Sequence, residues 1–410
     1  MKRFTVDRET FNHKFQEDSM KKKLIAMVMA STMVASLAAC GSSKAPETTT
    51  AAKAAETTAA ATAAATETTA AEAEKTEAAT EGDSVEIPTL QDILEWEKDP
   101  KCEIVYKYGE LNPDDNINTR AGYVFSKYVH DMSDGRIVVE VNSASTLGDE
   151  KTCLNSLQMG GGTVDMYRGN TNSLSDYGFK KLNMFGLPFI FKSRDDMYKV
   201  LEDAELGRAF LDEGAEVGAG MVGVAYTDEG ARNLFTRNEI KGLSDVKGMK
   251  IRVPETQLMM DTMKALGAEP TPISYSELYT SLQSGVVDGA ENGYPGYYSN
   301  KFYEVAPYYL LSKHTFSPGI ILMAQAKWDA LSADDQKLLR EAGQKATDWD
   351  RSQIEQEEVE LKQKLEGLGV TVIDMSAEDI ATAQEACKSV WAQYTEGIED
   401  LLQKMQDVQN

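Results

Sequence analysis

Between Asp334 and Glu366 the sequence keeps a helical period for roughly nine turns, at 3.6 residues each, with no proline to interrupt it. A helix of that length outruns one small packed unit, so it must cross more than one subdomain. Upstream, short apolar runs alternate with helical periods, a pattern that predicts an α/β fold with largely parallel sheets. Cys102 to Tyr108, Arg136 to Val141 and Thr163 to Arg168 read as strands, with helices over Ile117 to Met132 and Asp149 to Met159. Gly218 to Tyr226, Lys250 to Val253, Val286 to Asp288 and Pro318 to Ala324 extend the strands, and Glu255 to Leu266 reads as a helix. Hydroxyls followed three residues later by carboxylates, Ser274 with Glu277, Ser332 with Asp335 and Ser376 with Asp379, read as helix caps. Two lobes bridged by shared elements follow, with a cleft between them where a small ligand binds.

The chain before the lobes is built differently. Lys21, Lys22 and Lys23 precede an uncharged run from Leu24 to Ala39, the basic start and short apolar stretch of a secretory signal. The run is marginal for a membrane helix. Residues 1–19 are polar and unusual ahead of a signal, so Met20 reads as the true start and 1–19 as a mis-called extension. From Lys44 to Asp83 the sequence is almost all Ala, Thr and Glu, with no aromatic or branched aliphatic residue. Such a segment cannot bury enough apolar surface to offset its chain entropy, and it reads as a solvated tether running to about residue 95.

Of the net charge of −24, residues 84–410 hold −22, since residues 1–43 carry +3 and residues 44–83 carry −5. The folded part lacks the basic footprint that nucleic acid demands. An anionic ligand must be held there by local positive groups against an unfavourable overall field. With three His, four Cys, no CxxC and no HExxH, the inventory disfavours zinc sites, redox dithiols and Ser-His-Asp or Cys-His catalysis. No cofactor and no metal are expected. Cys102, Cys153 and Cys387 allow at most one disulfide, and nothing in the sequence selects it.

Arg252, in Ile251-Arg252-Val253, alternates with apolar neighbours, so a strand would project it to the face opposite both. There a guanidinium can meet a carboxylate through two parallel hydrogen bonds, although strand arginines also serve as solvated or protein-paired groups. The segment around it runs from Gly242-Leu243-Ser244-Asp245-Val246-Lys247-Gly248 through Arg252-Val253-Pro254-Glu255 and Ala265-Leu266-Gly267-Ala268 to Gly285-Val286-Val287-Asp288-Gly289-Ala290-Glu291-Asn292. With Leu147-Gly148-Asp149-Glu150, Leu187-Pro188-Phe189 and Tyr303-Glu304-Val305 to Trp328, this ordered set resembles the DctP-like solute-binding proteins of the tripartite ATP-independent periplasmic (TRAP) transporters, over roughly residues 102 to 400. The run Leu37-Ala38-Ala39-Cys40-Gly41 likewise resembles a bacterial lipoprotein cleavage box, with Cys40 the lipidated first residue.

The resemblance implies a two-lobed periplasmic-binding-protein-like fold with a long lobe-spanning helix: residues 96–229 with 318–357 as one lobe, and 230–317 with 358–410 as the other. It implies that Arg252 clamps a ligand carboxylate, with Arg232 as a second cation at the lobe crossover and Asn292 and Tyr275 against the solute. Arg168 resembles a third Arg of the sugar-acid-binding members and reads equally as scaffold, while Glu150 and Asn170 are weaker candidates for hydroxyl contacts. Tyr294 and Tyr297 suit either a sugar face or the core. The expected protein is an extracytoplasmic, lipid-anchored binding protein, not an enzyme. It captures an acidic solute, foremost a hexuronate or related sugar acid, for TRAP-type membrane subunits. A C4-dicarboxylate, a keto acid and sialic acid stand as alternatives, as does a secreted enzyme on acidic sugars or a sensor. Gly293, Tyr294 and the stretch Tyr167-Arg168-Gly169-Asn170 depart from the uronate-binding pattern.

Overall fold

The computed structural model describes residues 85–409, all within one packed unit. The expected extension, signal, lipid-bearing Cys40 and most of the tether lie outside the described residues. Two sheets organise the rest. One has the order β2-β1-β3-β10-β4, from β1 (Ile104–Gly109), β2 (Ile137–Asn142), β3 (Met166–Asn170), β4 (Met221–Thr227) and β10 (Gly319–Ala324). The other has the order β11-β9-β5-β8-β6-β7, from β5 (Arg232–Thr236), β6 (Lys250–Val253), β7 (Glu269–Pro272), β8 (Gly289–Asn292), β9 (Tyr308–Thr315) and β11 (Thr371–Asp374).

The chain passes between the sheets from β4 to β5 and returns from β9 to β10, so a pair of connections forms the hinge of two lobes. The third bridge is the helix Ala333–Gly367, 35 residues long, which packs on Ile117–Met132 and β4 in the first lobe and on Tyr294–Ser299 in the second. Its Ser332 cap accepts the Asp335 N–H at 3.1 Å. The same helix pins the first hinge connection: Asp350, fully buried, accepts the Asp228 N–H at 2.5 Å, and Asp228 in turn accepts from Arg194 at 2.7 Å. Gly230, two residues on, has φ +77°, a left-handed turn that a side chain would strain.

The sheets are mixed, not largely parallel. β1 runs parallel to β2 and β3, and β6 to β7 and β8, as βα alternation dictates. The strands leaving and entering the hinge, β4, β5, β9 and β10, make the antiparallel pairs. The chain leaves the first lobe along β4 and re-enters it along β10, and enters the second along β5 and leaves along β9, so these neighbours run in opposite senses. The Val286–Asp288 strand is displaced to β8, because Val286 is exposed and pairing begins at Gly289, where a Cβ would strike the Phe235 carbonyl. Ser274 caps no backbone N–H; its hydroxyl turns to the Glu277 carboxylate at 3.2 Å beside a short 3₁₀ turn.

The core of the first lobe gathers Tyr108, Phe125 and Val139, and that of the second gathers Ile251 and Val253 on one side and Phe235, Tyr297 and Tyr309 on the other. Tyr294 and Tyr297 belong to this core, Tyr294 stacking on Tyr309 at 4.6 Å. The C-terminal helix Glu399–Gln409 lies on Arg194–Glu202. Cys102, Cys153 and Cys387 are all free thiols. Among the described residues no helix is long and apolar enough to cross a membrane.

Candidate ligand-binding site

The cleft between the sheets narrows to a cavity of about 550 Å³, counted out to its mouth. Arg168, Asn170 and Glu150 line it from the first lobe, and Arg232, Arg252, Tyr275 and Asn292 from the second. These seven candidates from the sequence therefore stand on one wall or the other, while Tyr294 and Tyr297 lie in the core and not on the cavity. Strand period explains the central one. Ile251 and Val253 enter the second-lobe core, so Arg252 on β6 points the opposite way, into the cavity.

The three arginines are all nearly fully buried and differ in what surrounds them. Arg168, within β3, is held bidentately by Glu110, through Nε at 2.8 Å and Nη2 at 2.9 Å, and its Nη1 reaches Glu229. Gly319 of β10 lies beside it, where a Cβ would collide with the Thr227 Oγ1 and crowd the Arg168 Cδ at 3.1 Å. Arg232, the first residue of β5, is gripped by Glu291, with Nη2 at 2.7 Å, and lies 3.5 Å from Glu229. Burial alone would lower the pKa of either guanidinium, but Glu110 and Glu229 for Arg168, and Glu291 for Arg232, outweigh it and raise both. Burial works against Glu291 in turn, yet Arg232 and His314 hold its carboxyl down at about 2.

Arg252 has no such partner. Its Nε donates to the Ile273 carbonyl at 2.8 Å, and its guanidinium carbon sits 5.6 Å from the centre of the Tyr275 ring. Among the described residues no carboxylate lies within 4.0 Å of it. Burial therefore dominates, and with Arg232 nearby it pulls Arg252 down to about 10, against a weaker pull upward from Glu291. Buried charges normally find a counter-charge, so this wall holds an unmet demand for an anion. Arg232, which the resemblance implies as a second cation at the lobe crossover, has internal counter-ions of its own.

The remaining groups are polar and mostly committed. Asn170 donates to Glu229 at 2.8 Å and caps the next turn through the Asn172 N–H at 2.9 Å. Glu150, the first residue of its helix, accepts from the Tyr167 hydroxyl at 3.2 Å. Its pKa is raised, by burial first, with Glu229 adding to it. Asn292 fixes its own Oδ1 on the Gly293 N–H at 2.8 Å and donates to the Tyr275 hydroxyl at 3.0 Å. Gly293 stands where a Cβ would collide with the Glu229 carbonyl, which accounts for the lack of a bulkier residue there.

Sequence patterns did not disclose Glu110 and Glu291 as counter-ions inside the site, nor Asn112 and Asn118 on its wall; Glu229, near enough in sequence to pair with Arg232, is buried and serves Arg168 as well. Glu291 carried a usable signal: a carboxylate between Ala290 and Asn292 in a strand crossing a sheet centre must have a cation opposite. Asn118 is buried in the wall, and its Oδ1 has no donor among the described residues. No group of three or more His, Cys, Asp or Glu among the described residues is placed to hold a metal ion.

Known proteins share this architecture. The family model described as bacterial extracellular solute-binding protein, family 7, matches residues 108–397. A solute-binding protein of Chromohalobacter salexigens is 33% identical over 304 residues, covering 73% of this chain and 88% of its own. The crystal structure of a TRAP periplasmic solute-binding protein from Xanthobacter autotrophicus Py2 with bound β-D-galacturonate superposes with a TM-score of 0.69 at 30% identity, over 74% of this chain and 99% of that one. A TRAP periplasmic solute-binding protein from Roseobacter denitrificans OCh 114 with bound L-galactonate gives 0.68 at 32% identity, over 74% and 99%.

Proposed function

Since the chain belongs to the family-7 bacterial extracellular solute-binding proteins, whose members bind small solutes for TRAP-type transport, we propose that it captures a hexuronate or a closely related sugar acid. The observation that carries this reading is Arg252: a buried guanidinium facing the cavity, stripped of a protein counter-ion, beside two arginines that have theirs. The solute carboxylate completes the missing pair through two parallel hydrogen bonds. The Tyr275 ring flanks that position, and Asn292, Asn170 and Glu150 are placed to meet hydroxyls.

With Arg168 and Arg232 neutralised by Glu110, Glu229 and Glu291, the pocket has one cation to offer, which suits a monocarboxylate. Binding without turnover fits the same inventory. Glu110, Glu229 and Glu291 are occupied by arginines, and the Ser312–His314 pair, 2.8 Å apart, is buried outside the cavity lining. The protein works outside the cytoplasm, and Cys40, once lipidated, tethers it to the membrane face through the Ala/Thr/Glu segment while the closed lobes dock on a TRAP-type membrane partner. A thermal-shift screen tests the solute. D-galacturonate, D-glucuronate or an aldonate at 100 times its Kd adds about 2.7 kcal/mol of stability. A response to succinate or malate alone, with none to sugar acids, would overturn the assignment.

A further inference from the structure

Asn112 follows β1 in the first lobe and is buried at the cavity wall, yet its side-chain oxygen finds its partners in the other lobe. Its Oδ1 accepts from the Tyr275 hydroxyl at 3.2 Å and from the Asn300 Nδ2 at 3.0 Å. Its Nδ2 and its backbone N–H both donate to Glu110 Oε1, at 2.8 and 2.9 Å. Glu110 is the carboxylate that grips Arg168. The orientation of every group in this chain is settled by its ends. A carboxylate engaged by Arg168 only accepts, so the Asn112 amide must present its NH₂ to Glu110 and its oxygen across the cleft. The Gly293 N–H only donates, so Asn292 must present its NH₂ to Tyr275. The Tyr275 hydroxyl, receiving protons from Asn292 and Asn300, has its own proton left for Asn112 and none for a solute.

We infer that Asn112 is a positioning residue that couples closure of the lobes to the setting of the Arg252 clamp. When the lobes meet, Asn112 fixes the Tyr275 hydroxyl, which fixes the ring lying against the Arg252 guanidinium and the amide of Asn292. When they part, both cross-cleft bonds break and the clamp loses its fixed wall. A second bond, Asn116 Nδ2 to Ser299 Oγ at 2.9 Å, closes the same edge and does not touch the clamp. The inference builds on the proposed solute role of Arg252, but closure itself can be read without any solute.

The test uses Asn112→Leu, Tyr275→Phe, which removes a single oxygen on the opposite lobe, and the double variant. X-ray scattering of the unliganded proteins should show the closed form depleted in both single variants relative to wild type, with Asn116→Ala giving a smaller opening. Stopped-flow release of D-galacturonate should be about tenfold faster in Asn112→Leu, which loses both cross-cleft bonds, and about three- to fivefold faster in Tyr275→Phe, which loses one, with little change in the association rate. The double variant should release no faster than the worse single one, because both lesions break the same link. Scattering curves identical to wild type, or losses that multiply in the double variant, overturn the inference. If wild type fails to bind D-galacturonate, the solute assignment fails and scattering still decides the latch.

Discussion

Arg168 and Arg252 stand in one cavity, equally buried, and should respond to removal in opposite ways when no solute is present. Replacing Arg168 by Leu leaves Glu110 and Glu229 buried without their shared cation, a lesion of about 3–5 kcal/mol. Replacing Arg252 by Leu removes a charge that has no counter-ion. Burial first, with Arg232, lowers that guanidinium from 12.5 to about 10 against the pull of Glu291, a net penalty on the order of 3 kcal/mol at 1.36 kcal/mol per pH unit. Against that relief stand the lost bond to the Ile273 carbonyl and the contact with Tyr275, together about 2–3 kcal/mol. Arg252→Leu should thus be neutral or more stable than wild type by up to about 1 kcal/mol. Arg168→Leu should lose roughly 2–4 °C in Tm for every kcal/mol of its deficit. Urea denaturation of the solute-free proteins, read by circular dichroism, gives both numbers. An Arg252→Leu protein as unstable as Arg168→Leu would refute the idea that Arg252 lacks an internal partner.

Other perturbations separate the remaining parts of the site. Arg252→Ala should weaken sugar-acid affinity at least about 30-fold by titration calorimetry, the low end of the cost of removing one member of a desolvated pair, and Arg252→Lys should not restore it because an ammonium lacks the planar fork. Gly296→Ala should keep the fold and lose affinity, since its Cβ would lie 2.6 Å from the Asn292 amide nitrogen; unchanged binding would remove Asn292 from the site. Asp350, whose carboxyl burial and the neighbouring Asp228 push well above its ordinary 3.8, binds its proton more tightly folded than unfolded, so its contribution is complete below 3.8 and is lost as pH rises. Asp350→Asn should therefore be no more stable than wild type near pH 4 and progressively more stable toward pH 8, and a pH-independent difference would contradict that sign.

The periodic parts of this fold are written plainly in the chain. Ile117–Met132 and the long helix ending at Gly367 appear where apolar spacing puts them, and Lys250–Val253 is a strand with Arg252 turned from its apolar neighbours. Strands β5, β7, β9 and β11 escaped: Arg232–Thr236 and Glu269–Pro272 are short and carry polar or proline residues, and the pairing of β5 and β9 comes from the hinge geometry rather than from local pattern. The residues that line the cavity were legible through the motif around Arg252 and Asn292. Which arginine is free was not, since that depends on Glu110, Glu229 and Glu291 arriving from three separate segments. Charge pairing across 58 or 59 positions leaves no trace in spacing.

The most direct measurement is a crystal structure of the protein grown with D-galacturonate. The account predicts the sugar enclosed between the lobes with its carboxylate on both terminal nitrogens of Arg252, at about 2.7–2.9 Å, and with Arg168 and Arg232 still bound to their glutamates. A carboxylate seated on Arg168 or Arg232, with Arg252 left unpaired, would contradict it.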